Sequence, residues 1–155
     1  MGCMSSKPLI EDRYIPESLH KQLCDVTLED TIPYFVPITG GKVVNVYDGD
    51  TIDIVSNELN CPVVNKMFLF RIRIKHIDTP ELRTKNKDEK ALAKKAKQVM
   101  EDLVLNKFVT LEDVLHEKKW GRILAVVKVN GVNVADQMLQ LGHARPYEGG
   151  HKEEW

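Results

Sequence analysis

From residue 41 onward, short stretches of alternating apolar and polar residues predict strands. Residues 42–47 form the first and 51–55 the second, with Ile52 and Ile54 on one face. The turn Asp48-Gly49-Asp50 joins them and leaves Asp50 at a strand end. A third strand over 67–74 puts Phe68, Phe70, Ile72 and Ile74 on one face and Arg71, Arg73 and then Lys75 on the other. The period changes at 88–105, where Leu92, Ala96, Val99 and Leu103 form the apolar stripe of a helix whose opposite face is rich in Lys and Glu. Strands over 108–115 and 123–128 follow, joined by a turn carrying Lys118, Lys119, Trp120, Gly121 and Arg122. Asn130-Gly131 is a tight-turn signal, and residues 134–141 form a short helix stopped by Gly142. The pattern describes a small α+β domain built on an antiparallel sheet or barrel.

The first 40 residues are different. Residues 16–26 predict a short helix turning Leu19, Leu23 and Val26 inward, and beyond it Pro33 and Pro37 break regular structure. The chain thus divides into an extension over 1–40, a domain over 41–148 and a short tail over 149–155. Charge divides along the same line. The extension carries 3 Lys and Arg against 6 Asp and Glu, the remainder 19 against 17. With a net charge of -1 the chain is not the broadly basic object expected of a counterion-releasing duplex binder, so any grip on nucleic acid is local. Three cysteines without metal spacing, and five histidines without paired spacing, argue against a disulfide framework and a structural zinc site and fit a reducing compartment. No apolar run is long enough to span a bilayer.

The acidic and basic residues flanking these strands carry the chemistry. Asp50 and Asp78 offer hard carboxylate oxygens of the kind Ca²⁺ takes. Arg73 and Arg122 offer guanidinium forks that match phosphate oxygens and can stabilise charge building on phosphorus. Glu81 is available as a base, and Asp48 is placed to fix the turn or a metal-bound water. Each motif alone also has a plain structural reading. Asp48-Gly49-Asp50 is an ordinary tight turn with Gly at positive φ. Asp78-Thr79-Pro80-Glu81 reads as the start of a helix, and the Arg71, Arg73 and Lys75 row as a solvated strand face.

In combination and order, these residues resemble the staphylococcal (thermonuclease-like) nuclease family over roughly residues 42–147. The resemblance implies a five-stranded OB-fold barrel, with a long helix between strands 3 and 4 and a short helix after strand 5. It implies a calcium-dependent endonuclease that hydrolyses DNA and RNA to products with a 3′-phosphate, acting as a monomer on single-stranded or locally unpaired substrate. Carried over by position, Asp50, Asp78 and the Thr79 carbonyl bind Ca²⁺, Arg73, Glu81 and Arg122 are catalytic, and Lys119, Trp120 and Tyr147 contact the nucleotide. Trp120 reads equally as a hydrophobic plug on its turn. Two departures stand out: the C-terminal helix of the family's secreted prototype is absent or reduced, and the segment 57–66 is long for its place. The competing reading is a non-catalytic OB-fold nucleic-acid-binding module, and a structural or adaptor role is a third.

The N-terminal run Met1-Gly2-Cys3-Met4-Ser5-Ser6 fits a myristoylation pattern at Gly2, with Cys3 placed for palmitoylation. A single myristoyl chain binds membrane marginally and the acidic extension adds no polybasic patch, so stable anchoring needs both chains. The expectation is a membrane-anchored protein facing the cytosol, the alternative a soluble cytoplasmic one.

Overall fold

The computed structural model describes residues 17–24, 26, 27, 29, 37–56, 67–117, 122–152, 154 and 155. The acylation positions Gly2 and Cys3, the segment 57–66, and Lys119 and Trp120 lie outside the described residues. The chain falls into two compact units, Met1–Tyr34 and Phe35–Trp155. In the first, α1 spans Glu17–Leu23. Val26, expected to face inward, is 45% exposed.

The second unit runs β1 (Gly40–Val46), β2 (Thr51–Ser56), β3 (Phe68–Ile74), β4 (Ile77–Asp78), α2 (Lys87–Val104), β5 (Phe108–Glu117), β6 (Arg122–Val129), β7 (Val132–Asn133), α3 (Val134–Gln140) and β8 (Arg145–Pro146). Five of these strands close on themselves. The order is β3-β2-β1-β5-β6, antiparallel throughout, and β6 returns to pair parallel with β3 through Ile72↔Ile123, Arg73↔Leu124 and Ile74↔Ala125. The result is the five-stranded OB-type barrel, with α2 between its third and fourth strands and α3 after its fifth. Closure removes the open sheet edges that a five-stranded ribbon would otherwise expose.

Two irregularities bend the strands. In β1 the register slips between Val43 and Asn45, leaving Val44 as an extra, exposed residue, and β5 slips between Glu112 and Leu115, where Asp113 takes φ 48. Bulges of this kind increase local twist, which a small barrel needs. The interior is filled by Val43, Val46, Ile52, Ile54, Ile72, Ile74, Ala125 and Val127. Fully burying a branched side chain of this kind contributes about 1.5–3 kcal/mol.

Helix α2 is capped by Asn86, whose side chain accepts from the Asp88 and Glu89 amides at 2.9 and 3.4 Å. At its other end Lys107 Nζ donates to the Asp102 and Leu103 carbonyls at 2.8 Å each, serving groups the helix leaves open. The buried face is Ala93, Ala96, Met100 and Val104, so the stripe expected from Leu92, Ala96, Val99 and Leu103 is rotated. Leu92 is 42% exposed, while Val99 and Leu103 flank the contact, half buried. Alanine at 93 and 96 removes bulk and lets the helix lie close to the barrel; an alanine carries little hydropathy signal, which is why a count of large apolar residues misses its face.

Asn130 and Gly131 both take positive φ, 50 and 80, the geometry of a tight hairpin between β6 and β7. α3 starts at the Asn133 cap and ends before Gly142, at φ 71. The pair β4 and β8 was not legible in the sequence. Asp78 lies opposite Arg145 in it, and it fixes the loop that carries the second acidic motif. Among the described residues no helix is long and apolar enough to cross a membrane.

Candidate active site

The acidic turn between β1 and β2 is held by its own backbone. The Tyr47 and Asp48 amides donate to the Thr51 carbonyl at 2.9 and 3.3 Å, and the Asp50 amide donates to Asp48 Oδ1 at 3.2 Å. Asp48 therefore fixes the turn through its side chain. Gly49 does not take the left-handed conformation expected of it. Its constraint is space: a Cβ there would stand 2.8–2.9 Å from three atoms of the Thr79 side chain. Thr79 is buried and stiff at its branched Cβ. Gly49→Ala is therefore expected to push the two acidic loops apart and cost about 1–3 kcal/mol, read as a lower melting temperature; an unchanged melting curve would show that Thr79 yields freely.

Asp50, at the mouth of β2, meets three groups. Thr51 Oγ1 donates to its Oδ1 at 3.0 Å, Thr79 Oγ1 donates to Oδ2 at 3.1 Å, and Arg73 Nη2 lies 2.9 Å from the same Oδ2. Thr51 is the register partner of Arg73 across β2 and β3, so sheet pairing brings these groups together. Arg73 also reaches Asp78 Oδ1 at 3.5 Å and donates through Nη1 to the Ile74 carbonyl at 2.9 Å. The reading of Arg71, Arg73 and Lys75 as a solvated basic face is thus corrected. Arg73 is 7% exposed between two carboxylates. Arg71 makes a two-pronged contact with Asp53 at 2.8 and 3.2 Å, and Lys75 pairs with Asp113 at 2.6 Å. Asp53, a partner missed in the sequence, was findable: pairing the second strand with the third sets it opposite Arg71.

The electrostatics are uneven. Burial pushes Asp50 up to about 7, against the pull of Arg73 and with a further push from Asp48. Asp53, with Arg71 donating to it, is held below the usual carboxylate range although burial opposes this. Asp78 is also buried, and its Oδ1 lies 2.7 Å from Lys152 Nζ and 3.5 Å from Arg73 Nη2. Two desolvated carboxylates, one tending to neutrality and one held by cationic side chains, make an oxygen-only set suited to a hard cation. Among the described residues no cluster of three or more acidic, His or Cys side chains could hold a metal, so a cation here would take two carboxylates and complete its shell with backbone carbonyl and water.

Arg73, Glu81, Arg122 and Tyr147 line one cavity of about 1150 Å³ together with Asp48 and Asp50. Arg122 enters from the start of β6, where its Nε donates to Glu117 across the β5–β6 pair. The parallel β3–β6 pairing that closes the barrel brings the two arginines to one opening. Glu81 is exposed, and its amide donates to Glu89 Oε1 at 3.2 Å. The Tyr147 hydroxyl donates to the Gly150 carbonyl at 3.0 Å, and its amide to the His76 carbonyl at 3.0 Å. Thr79 shows its hydroxyl to Asp50; its backbone carbonyl makes none of the contacts just described.

Lys152 is the site residue that sequence reasoning missed. Its Nζ lies 2.7 Å from Asp78 Oδ1 and 2.7 Å from Glu81 Oε1. Burial disfavours its charge, yet the contacts with Asp78 and Glu81 outweigh this and raise its pKa above the ordinary lysine range. A lysine in a polar tail carries no sequence signal that separates it from a solvated one.

A closed five-stranded barrel with α2 between its third and fourth strands belongs to the OB-type folds, and this one gathers Asp50, Arg73, Glu81 and Arg122 at one opening. The comparison with known families is specific. A family model described as staphylococcal nuclease homologue matches residues 71–154, and the chain belongs to that family. The match contains Arg73, Asp78, Thr79, Glu81, Arg122, Tyr147 and Lys152, while Asp48 and Asp50 precede it. The chain is 31% identical to an uncharacterized protein of Methanocaldococcus jannaschii, with 69% of this chain and 58% of that protein covered. It is 34% identical to an uncharacterized endonuclease of Escherichia coli, covering 70% of this chain and 61% of the relative. The chain thus spans about three-fifths of the length of these curated relatives.

Proposed function

We propose that this protein is a calcium-dependent endonuclease that hydrolyses phosphodiester bonds of DNA and RNA, leaving 3′-phosphate ends. The observation that carries the reading is the buried Asp50–Arg73–Asp78 cluster, whose Asp50 and Arg73 line one cavity with Glu81 and Arg122 while Asp78 lines a second one with Glu81. Family membership and the endonuclease named among the relatives support it. Asp50, Asp78 and the Thr79 carbonyl would hold the cation. When bound, Ca²⁺ supplies positive charge against the scissile phosphate. Arg73 and Arg122 would hold the phosphoryl oxygens and stabilise charge as water adds to phosphorus. Glu81 would take the proton of that water, and the bond to the 5′ oxygen breaks, so one product ends in a 3′-phosphate. Lys119, Trp120 and Tyr147 would bind the neighbouring nucleotide, Trp120 by stacking on a base. With no feature for reading base edges among the described residues, cleavage is expected to be sequence-tolerant.

Purified protein incubated with single-stranded DNA and with RNA is expected to fragment both with Ca²⁺ and neither with chelator. Mg²⁺ should support the reaction poorly, because it demands a small octahedral shell and sheds water reluctantly. Equal cleavage in chelator would overturn the calcium reading. We also propose that acylation at Gly2 and Cys3 anchors the protein to a membrane on its cytosolic side, supported by the N-terminal residue pattern alone. In a eukaryotic cell, Gly2→Ala should move the protein into the soluble fraction and Cys3→Ser should leave weak, reversible binding; a native protein found unacylated and soluble there would remove the anchor.

A further inference from the structure

The segment after β8 turns back onto the acidic pocket. Gly149 and Gly150, both at φ 97, make a bend that L side chains rarely adopt. Beyond it, Lys152 bridges Asp78 and Glu81 at 2.7 Å each. The segment is pinned at three further points. Trp155 Nε1 donates to Asp78 Oδ2 at 3.4 Å, the Arg145 guanidinium lies 3.9 Å over the Trp155 ring, and Arg145 Nη1 donates to the Glu154 carbonyl at 2.8 Å. Both oxygens of Asp78 are therefore met by this segment.

We infer that Lys152 is a built-in competitor for the cation: its ammonium holds the cation's place on Asp78 while it also occupies Glu81 Oε1, and cation binding expels the segment and frees that oxygen. The inference rests on the proposed calcium reading. The steric argument is direct. A Ca²⁺–oxygen bond is about 2.3–2.6 Å long, and Lys152 Nζ already stands 2.7 Å from Asp78 Oδ1. Charge agrees. With Asp50 deprotonated, as a cation ligand must be, three carboxylates, Asp50, Asp78 and Glu81, face two cationic side chains, Arg73 and Lys152, leaving a single formal negative charge. Adding a divalent ion while Lys152 stays would make the pocket positive, whereas exchanging Lys152 for the ion makes it neutral. Burial makes such imbalance costly on the Asp50 and Asp78 side. Glu81 gives the functional consequence. While Lys152 holds its Oε1, that oxygen does not serve as the acceptor for a water proton. The competitor thus couples occupation of the cation site to release of one oxygen of the base.

The test uses the full chain with Trp120→Phe, so that Trp155 is the one indole reporting. Calcium affinity is measured by calorimetry and Trp155 emission is followed through the same titration, with circular dichroism checking the fold. In the parent, emission should change as the site fills, because the indole leaves Asp78. Lys152→Gln should bind Ca²⁺ roughly three- to tenfold more tightly, the scale expected for removing one half-exposed competing ion pair, and Lys152→Arg should stay near the parent. Equal affinity of Lys152→Gln and parent, or emission unchanged at saturation, overturns the competitor and leaves the calcium site standing. If neither parent nor Lys152→Gln binds Ca²⁺, both readings fall together; binding by Lys152→Gln alone would support the competitor in its strongest form.

Discussion

Arg122→Ala is expected to slow phosphodiester cleavage at least about a hundredfold, the scale of removing one donor that stabilises transition-state charge, while the melting temperature stays close to the parent's. Arg122 lines the cavity and, among the described residues, pairs with the partly buried Glu117, so its loss strands no fully buried charge. Arg73 is different. It should show a similar loss of rate, but Arg73→Ala also leaves Asp50 buried without its cation and Asp78 with Lys152 alone, and breaking a buried pair in this way costs about 3–5 kcal/mol. Arg73→Lys is the informative variant, because it keeps the charge and removes the fork. Glu81→Gln should likewise lose about a hundredfold without loss of stability, since Glu81 is exposed. Rates of single-strand cleavage, measured beside thermal melts, separate these effects. A folded Arg122→Ala protein with the parent's rate would remove Arg122 from the mechanism.

Asp50 should make the cation-free protein less stable as pH rises. Its folded-state pKa of about 7 lies above the ordinary value of 3.8, so the folded protein holds a proton that the unfolded chain releases. For a raised carboxyl the associated stability is present below the unfolded value and is lost as pH rises from about 4 through 7. The full effect is at most about 4 kcal/mol. In chelator, Asp50→Asn is expected to melt at or above the parent temperature at pH 8 and to show a flatter dependence between pH 4 and 7. Calcium should then reverse the order, stabilising the parent and not the variant, because a ligand that binds only the folded state stabilises it by mass action. A variant that melts well below the parent in chelator at pH 8 would mean that Asp50 is a net structural support rather than a group held at a cost for binding.

Much of the barrel was legible because its strands obey local rules. Alternation marks β2 and β3, Asn130-Gly131 readily takes the two successive positive φ values of a tight hairpin turn, and the helical period marks α2. The ordered motifs around Asp50, Arg73, Asp78, Glu81 and Arg122 located the candidate site, because each lies at a strand end or in an adjoining loop, where chain order and spatial order nearly coincide. What failed depended on neighbours distant in the chain. The face of α2 is set by how closely Ala93 and Ala96 can approach the barrel, not by which residues are most apolar. The short β4–β8 pair joins residues far apart in sequence and has too few residues for any period to show. The difference between Arg71 and Arg73, alike in sequence and on the same strand face, was decided by their partners: Asp53 holds Arg71 while leaving it half exposed, whereas Asp50 and Asp78 hold Arg73 buried between them. Lys152 is the extreme case. Its charge was always readable, but its partners Asp78 and Glu81 precede it by 74 and 71 positions, and only the turn at Gly149 and Gly150 brings an ordinary tail lysine onto them. Residue order settled which chemical groups the protein owns and which local elements carry them; tertiary packing decided which charges are stripped of water, and that desolvation makes these groups a site.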